Sequence, residues 1–280
     1  MLENRIAVSH LDRHLCISSQ WGVFFDAGRL RFTSRHTSRS FRGMEIKPLG
    51  DSAVLVRVAE NFERAPEEAL NAVLSAQAAL RAAQIPGVLE IAPGYTTVAL
   101  FYNPAGATDA GAPGGSIFDW IEQRVRSALS KKKKFDAEIT ERSVVQIPVC
   151  YEAEFAIDLE QVAQRAGIHR KEVVDLHCDA EYRVHCVGFT PGFPFLGGLP
   201  RKIATPRRDV PRKEIPAGSV AIGGMQTGIY PVKSPGGWNV IGRTPLRLFD
   251  PQKNPPALLR AGDRVRFHPI TREEFERSTT

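Results

Sequence analysis

Seven glycines between Gly218 and Gly242 separate three short apolar segments, SVAIG, GIYPV and WNVIG. The segments VVQIPVCY and EYRVHCVGFT before them, and TPLRLFD and DRVRFHPI after them, have the same β-branched and aromatic character. Many short strands divided by Gly and Pro are typical of closed β-barrels and sandwiches. The second half of the chain is therefore predicted to be a β-barrel. Two helices precede most of its strands, DLEQVAQRAG with Asp158 as N-cap and Gly167 past its end, and HRKEVVDLHC.

The first half has a different organisation. MEIKPLGDSAVLVRVAE predicts two strands joined by a turn, and IPGVLEIAP and TTVALFYN predict two more. PEEALNAVLSAQAALRAAQ predicts a helix opened by Pro66, in which Gln77 is the polar member of an apolar stripe. GATDAGAPGGS predicts a flexible loop, and SIFDWIEQRVRSAL a second helix with Ser116 as N-cap. The order β-β-α-β-β-α predicts a small α/β sandwich, so the expected fold class is α+β.

The composition changes abruptly at Met44 and again at the run SKKKK. Residues 1–43 show no sustained hydrophobic period of 2 or 3.6 residues, and they hold seven arginines against three acidic residues. We therefore expect an extension that is disordered or not native, with Met44 as the natural start. The four lysines at 131–134 are typical of a solvated linker. The predicted organisation is the extension 1–43, an α/β domain at 44–130, a linker at 131–143 and a barrel domain at 144–275.

The net charge of +6 comes mostly from residues 1–43, which carry +4 of it. A nucleic-acid interface needs a basic surface on a folded domain, so nucleic acid is not an expected partner. No apolar run approaches the roughly 20 residues of a membrane helix, and the N-terminus lacks the apolar block of a secretory signal. We therefore expect a cytoplasmic protein whose four cysteines stay reduced and that makes no membrane contact.

Two His-Cys pairs, His177-Cys178 and His185-Cys186, stand eight residues apart. This spacing fits no common structural zinc pattern, and adjacent residues on a strand face opposite sides of the sheet. Nothing supplies the third group that would orient a Cys-His nucleophile. We therefore predict no metal site and interpret these residues as packed thiols and hydrogen-bonded imidazoles.

The glycine-rich segments GGMQTGIYP and SPGGWNVIGRTP lack the Gly-Lys-Ser/Thr of a phosphate loop. Two interpretations stay open, tight turns of the barrel or a groove in which backbone approaches a ligand. In the second, polar or stacking groups come from Gln226, Thr227, Tyr230, Ser234, Trp238 and Arg243. The basic segment RRDVPRKE, 207–214, is either a solvated loop or a contact for a carboxylate or phosphate, and the sequence favours the solvated loop.

The segment GFTPGFPFLGGLP, 188–200, holds four glycines, three prolines and three phenylalanines without a charge. Proline fixes φ and glycine permits bends that side chains would block, so the segment predicts a sharply bent turn. The three rings cannot all turn inward from so short a bend. At least one of Phe189, Phe193 and Phe195 is expected to face a groove or another protein of the same assembly, where aromatic residues are enriched. The alternative is that all three close the end of the barrel.

Four long segments together resemble the family of PxpB, the B component of bacterial 5-oxoprolinase: PLGDSAVLV, LHCDAEYRVHCVGFTPGFPFLGGLP, IPAGSVAIGGMQTGIYPVKSPGGWNVIGRTPLRLFDP and LLRAGDRVRFHPI. This family also includes the kinase inhibitor KipI and is known as allophanate hydrolase subunit 1 or as the carboxyltransferase domain C/D. The resemblance covers the chain from Met44 to about Phe275. It implies an N-terminal α/β domain and a C-terminal cyclophilin-like β-barrel.

The resemblance also implies one component of an ATP-dependent 5-oxoprolinase, a hydrolase that opens 5-oxo-L-proline to L-glutamate. The partners would be the C component of 5-oxoprolinase, a second cyclophilin-like protein, and its A component, and ATP with Mg²⁺ would be the co-substrate. A lactam carbonyl is a poor electrophile, so ATP activates it by phosphorylation and the site must position substrate and neutralise phosphates. Candidate catalytic residues are His177 and Arg243. Candidate substrate- or ATP-binding residues are Gln226, Thr227, Tyr230, Lys233, Ser234 and Trp238.

Two other functions stay open. A KipI-like chain would inhibit a sensor histidine kinase by docking its barrel groove on the helical stem of the kinase. Subunit 1 of an allophanate hydrolase is the third interpretation, although the chain offers no Ser-Ser-Lys signature of an amidase.

Overall fold

The computed structural model describes residues 45–130 and 144–279. The extension 1–43, the start at Met44 and the linker 131–143 lie outside the described residues, so the expectations for them stay predictions. The described strands form a four-stranded sheet, a seven-stranded sheet and a two-stranded ribbon. The predicted combination of an α/β half followed by a barrel-like β half is therefore present in the order of the elements.

The described part of the first half, residues 45–130, contains one antiparallel sheet and three helices. Its strands are β1 (Glu45–Pro48), β2 (Ala53–Arg57), β3 (Val88–Pro93) and β4 (Thr97–Tyr102), and its helices are α1 (Pro66–Ala82), α2 (Pro104–Asp109) and α3 (Ile117–Ser130). The strand order is β1-β2-β4-β3. Apolar side chains from the sheet, α1 and α3 share one buried core.

Helix α1 begins where the sequence predicts. Pro66 stands in its first turn with Glu67 and Glu68, and proline and acidic residues both favour a helix start. Gln77 interrupts the apolar stripe, and its Nε2 donates to the Ile91 carbonyl at 3.0 Å. The polar member of the stripe therefore ties α1 to β3.

Helix α2 overturns part of the loop predicted at 106–116. Asn103 caps the helix, since its Oδ1 accepts from the Ala105 N–H at 3.0 Å, and Pro104 follows in the first turn. A capping residue followed by proline starts a helix, and this signal lies just before the segment that the glycines marked as a loop. The loop prediction was therefore wrong for residues 106–109.

The seven-stranded sheet is nearly closed into a barrel. The strands of the second half are β5 (Val145–Val149), β6 (Tyr182–Val187), β7 (Pro194–Gly197), β8 (Arg212–Ile215), β9 (Ser219–Gly223), β10 (Gln226–Ile229), β11 (Ser234–Gly236), β12 (Asn239–Arg243) and β13 (Arg264–Pro269). The sheet order is β12-β9-β10-β7-β6-β13-β5, with only β13 and β5 parallel, and β8 pairs with β11 in the ribbon. Cys150 and Arg243 exchange backbone hydrogen bonds of 2.8 and 2.9 Å, which connects the two edges of the sheet.

Helices of the second half are α4 (Leu159–Ala166), α5 (Arg170–Asp179) and α6 (Arg272–Thr279), and Arg201–Ile203 form a 3-10 turn. Gly167 ends α4 with a φ of +65°, as predicted. Helix α5 packs on β13, where the His177 ring stacks on Phe267 at 4.4 Å. No helix in the described ranges combines the length and the apolar content that a bilayer crossing demands.

Asp158 stands at the N-cap position of α4, as predicted, although its side chain binds two arginines and makes no hydrogen bond to the helix. One strand prediction for the second half was wrong. Residues 244–250 form no strand. The Thr244 Oγ1 accepts from the Leu246 N–H at 3.2 Å, a local bond that competes with sheet pairing, and Phe249 makes one isolated bridge with Ala257.

Candidate functional site

An aromatic cluster covers the side of the barrel sheet opposite the barrel core. We use this name for Phe189, Phe193, Phe195, Tyr230 and Trp238. Successive residues of β9 contact different cores, with Val220 and Ile222 in the barrel core and Ala221 beneath the aromatic cluster, as expected for the alternation of a strand. Phe193 is the central ring, since it meets Tyr230 at 5.2 Å and Trp238 at 5.6 Å between centroids.

The glycines of the two glycine-rich segments make room for these rings. A Cβ on Gly223 would lie 2.5 Å from the Trp238 ring, and one on Gly228 would lie 2.9 Å from Phe193. Gly236 is in similarly close contact with the Tyr230 ring. Ring packing against bare backbone therefore explains these three glycines, which the sequence left open between turns and a ligand groove.

The three phenylalanines of the 188–200 segment have different exposures. Phe193 is 2% exposed, so it belongs to a core and cannot contact a partner in this conformation. Phe189 and Phe195 are half-buried against it. The expectation of a groove or partner contact stays a prediction for Phe189 and Phe195 alone. Tyr230 and Trp238 are also buried, at 2% and 5% exposure, and their predicted role in binding substrate or ATP stays a prediction.

Tyr95, in the turn between β3 and β4, contacts the barrel. Gln226 Nε2 donates to its hydroxyl at 2.9 Å, and the hydroxyl lies 3.2 Å from Gln226 Oε1. The Tyr95 ring packs edge-on against Phe62 at 4.8 Å and Phe195 at 6.2 Å. Gln226, predicted to bind substrate or ATP, is thus engaged within the chain, in a contact between the two halves.

His185 and Cys186 both lie against Tyr95. The register of β6 on β7 shifts between Val184 and Cys186, so the predicted placement of the two side chains on opposite sides of a regular strand was wrong. Burial, with a smaller contribution from Arg183, lowers the pKa of His185 to about 4, and burial raises the pKa of Cys186 to about 12. Within residues 45–130 and 144–279, no group of three or more His, Cys, Asp or Glu side chains is placed to hold a metal ion.

His177 lies inside the barrel at the centre of a directed chain of hydrogen bonds. The Thr227 hydroxyl donates to the Ala221 carbonyl, so it accepts from His177 Nε2–H at 3.1 Å, and His177 Nδ1 accepts from the Tyr151 hydroxyl at 2.8 Å. Burial lowers the pKa of His177 to about 3. His177 and Thr227 are both fully buried among these partners, and the catalytic and binding roles predicted for them stay predictions.

The remaining predicted residues occupy separate surroundings. The Arg243 Nε donates to the Ala217 carbonyl at 2.8 Å, and its guanidinium lies 5.8 Å from the Phe275 ring. Lys233 is exposed and pairs with Glu214 at 2.7 Å. The Ser234 Oγ is buried and has no hydrogen-bond partner among the described residues. Of these three, Arg243 and Lys233 have charged groups near the surface.

The side chain of Asp158, the N-cap residue of α4, makes ion pairs that the sequence did not predict. Only 3% exposed, it accepts from Arg208 Nη1 at 3.0 Å, from both Nη groups of Arg212 at 2.7 Å and from the Val240 N–H at 2.8 Å. The basic segment 207–214, which the sequence favoured as a solvated loop, is therefore anchored to the barrel. The acidic partner of Arg208 lies fifty positions away in the sequence, and no local pattern connects it to the loop.

A pocket of about 360 Å³ opens beside this ion-pair cluster. We call it the arginine pocket, and it is lined by Gln161, Arg165, Thr205, Pro206, Arg207, Arg208, Asp209, Val210 and Asn239. Asn239 Nδ2 donates to the Pro206 carbonyl at 2.8 Å, and the Arg208 N–H donates to the Gly237 carbonyl at 2.7 Å. The wall formed by the loop is therefore held by the barrel. Arg165 and Asn239 were not among the predicted site residues.

Comparison with known proteins gives consistent matches over most of the chain. The sequence profile of the family described as "Carboxyltransferase domain, subdomain C and D" matches residues 44–259. The B component of 5-oxoprolinase from Bacillus subtilis (strain 168) is 44% identical over 240 residues, which cover 82% of this chain and 95% of that protein. The protein of the same name from Escherichia coli O157:H7 is 42% identical over 196 residues, 68% of this chain and 82% of its own length.

A solved structure matches the fold. The crystal structure of TTHA0988 superimposes with a TM-score of 0.66 and 38% sequence identity, over 78% of this chain. The chain spans 40% of TTHA0988, so that protein contains a further part with no counterpart in the match.

Proposed function

Because the chain belongs to the carboxyltransferase domain, subdomain C and D family, we propose that it is the B component of an ATP-dependent 5-oxoprolinase, which opens 5-oxo-L-proline to L-glutamate. The observation that carries the proposal is the 44% identity to the B component of the Bacillus subtilis 5-oxoprolinase, because it extends over 95% of that protein. The proposed activity is taken from this relative, and the groups that carry it out are sought among the residues of this chain.

The proposed reaction needs partner proteins and ATP. We propose that the A and C components complete the enzyme in the cytoplasm, and that the nearly closed sheet is the cyclophilin-like barrel of the family, preceded by an α/β domain at 44–130 and a linker at 131–143. Transfer of a phosphoryl group from ATP, with Mg²⁺, to the lactam oxygen makes the carbonyl carbon a better electrophile for water. The chain must then supply cations that neutralise phosphate oxygens and donors that orient the lactam.

Arg243 is the predicted residue whose surroundings best suit this role. Its Nε donates to the Ala217 carbonyl, and its Nη groups make no hydrogen bond or ion pair among the described residues. The hydrogen bond fixes the guanidinium, and the Nη groups are left to bind an anion. His177 and Thr227 do not suit this role, since both are enclosed in the barrel core.

The proposal is tested on the tagged chain purified from its native host together with the proteins that bind it. ATP hydrolysis is measured with and without 5-oxo-L-proline, and glutamate release is measured in parallel. Stimulation by 5-oxo-L-proline with stoichiometric glutamate supports the proposal. Absence of stimulation in a preparation that contains a cyclophilin-like partner overturns it.

A matched pair of variants tests whether Arg243 is the cation that contacts the phosphate. Arg243→Ala is expected to lower kcat/KM for 5-oxo-L-proline at least tenfold while the same proteins co-purify, because a lost phosphate contact costs roughly 1.5–3 kcal/mol. Arg201→Ala, which removes an exposed arginine without an ion pair in the described part of the chain, is the control and leaves the rate unchanged. Equal rates for both variants would remove Arg243 from the site. The kinase-inhibitor and allophanate hydrolase interpretations stay predictions.

A further inference from the structure

The arginine pocket is lined by three arginines from two separate elements. Arg165 extends from the last turn of α4, and Arg207 and Arg208 come from the loop before β8. Arg208 is held by Asp158 at 3.0 Å, and the guanidinium of Arg207 lies 5.7 Å from the centre of the Trp238 ring. Contacts with Asp158 and Trp238 therefore fix the positions of Arg208 and Arg207 in the fold.

The charge of the pocket is not balanced by the chain. Asp158 is the one carboxylate bound to a pocket arginine among the described residues, and it is shared with Arg212. Asp209 lines the pocket but forms no ion pair with Arg165, Arg207 or Arg208 in the described part of the chain. Like charges in one pocket repel each other, and an anion between them removes the repulsion.

The size and the donors of the pocket define the kind of anion. A volume of about 360 Å³ lies in the range of small-molecule sites. Arginine presents planar, paired N–H donors that match the two oxygens of a carboxylate or the oxygens of a phosphate. The side-chain amide of Gln161 and the exposed side chain of Val210 complete the rim with a polar and an apolar contact.

We propose that the arginine pocket is a binding site for the carboxylate or phosphate group of a small molecule, held by Arg165, Arg207 and Arg208. Its assignment to the carboxylate of 5-oxo-L-proline or to a phosphate of ATP rests on the proposed function. Binding of an anion as such does not rest on it, because it follows from the charge and shape of the pocket.

The test is isothermal titration calorimetry on the full chain at constant ionic strength. Inorganic phosphate, Mg-ATP and 5-oxo-L-proline are titrated separately, and 5-oxo-L-prolinamide serves as the neutral analogue without the carboxylate. Binding of 5-oxo-L-proline but not of its amide identifies the carboxylate as the group recognised. Binding of phosphate and Mg-ATP identifies a phosphate site.

The double variant R165Q/R207Q removes two of the cations without touching the Asp158 ion pairs. It is expected to bind the active titrant at least tenfold more weakly than the wild-type chain. The matched control R64Q/R81Q removes two exposed arginines near and within α1 and so has the same net charge. It is expected to bind like the wild-type chain, and Arg165→Gln alone gives a second measurement should the double variant fold poorly.

Three results overturn the proposal: no heat from any anion with the wild-type chain, equal affinity of wild type and R165Q/R207Q, or equal weakening in R64Q/R81Q. The last would indicate a general effect of net charge. A preparation that binds phosphate through these arginines but lacks 5-oxo-L-proline-dependent ATP hydrolysis would contradict the proposed function and leave the anion site in place.

Discussion

Asp158 and Arg212 form a bidentate ion pair, in which Nη1 meets Oδ2 and Nη2 meets Oδ1, both at 2.7 Å. The carboxylate is 3% exposed, whereas the Arg212 side chain is 25% exposed. Because Asp158 also binds Arg208 and the Val240 N–H, one carboxylate connects the start of α4 to β8, to β12 and to the wall of the arginine pocket. This pair therefore supports both the stability of the barrel and the shape of the proposed anion site.

Asp158→Ala is expected to destabilise the fold strongly. It leaves Arg208 and Arg212 without their carboxylate and the Val240 N–H without an acceptor. Loss of one partner of a buried pair costs about 3–5 kcal/mol, and we expect roughly 2–4 kcal/mol here because the guanidiniums are partly exposed. Urea denaturation at pH 7 measures the change. Asp209→Ala, in the loop that holds Arg208 but outside the ion pair, should change the free energy of unfolding by less than about 0.5 kcal/mol. Equal losses in both variants would contradict the assignment.

Gly223→Ala is expected to disturb the aromatic cluster. The added Cβ would lie 2.5 Å from the Trp238 ring, closer than a carbon contact allows, so the ring must move. Overpacking of this kind costs about 1–3 kcal/mol. Thermal unfolding measures the loss, and because the chain has three tryptophans, the altered surroundings of Trp238 are measured as the fluorescence difference from the control variant. Gly114→Ala is the matched control, because nothing lies within 4 Å of its added carbon, and a Gly223→Ala protein as stable as this control would show that the ring is not packed on the backbone.

The strands of the barrel could be read from the sequence because their pattern is local. SVAIG coincides with β9, Ser219–Gly223, in which alternate residues meet two different cores. Helix α1 was predictable for the same reason, since Pro66 and the apolar stripe define it within one segment. Residues 244–250 were wrongly predicted as a strand, because the hydrogen bond from Leu246 to Thr244 opposes the apolar pattern.

The candidate site was less predictable because its contacts join distant residues. Gly223 accommodates Trp238, and Asp158 binds Arg208 across fifty positions, so neither relation leaves a periodic signal. Local reasoning accordingly placed Asp158 correctly at the start of α4 but left the arginines in solvent. It also selected His177 for its chemistry, whereas only the tertiary structure places both of its nitrogens in hydrogen bonds inside the barrel.

Tyr95 and Gln226 are expected to be energetically coupled. Their side chains are joined at 2.9 Å across the contact between the two halves. In a double-mutant cycle of Tyr95→Phe and Gln226→Ala, we expect a coupling energy of about 1 kcal/mol, the usual net value of such a hydrogen bond. Chemical denaturation of the four proteins gives the value. In the control cycle, the changes in the free energy of unfolding caused by Tyr95→Phe and by the exposed Gln252→Ala should be additive. A coupling energy near zero in the first cycle would mean that Gln226 is free to bind a ligand.

Stability is expected to fall when the pH is lowered from 7 to 5. Burial lowers the pKa of His177 to about 3 and that of His185 to about 4, whereas an unfolded histidine titrates near 6.5. Below about pH 6.5 the unfolded chain therefore binds protons that the folded chain does not, and the stability is lost progressively as the pH approaches the folded values. Linkage gives a loss of about 2 kcal/mol for each of the two histidines between pH 7 and pH 5.

The variant His177→Gln separates this effect from the rest of the chain. Urea denaturation at pH 7 and pH 5 should show that the wild-type protein loses about 4 kcal/mol and the variant about 2 kcal/mol, whatever the absolute stability of the variant at pH 7. Partners lower the pKa of the carboxyls of Glu45, Glu181 and Glu273 from 4.5, so their contribution is lost mainly below this window. The exposed His268→Gln control should keep the full wild-type loss. An unchanged pH dependence in His177→Gln would mean that this imidazole is accessible to protons in the folded state, which would support the predicted acid–base role of His177.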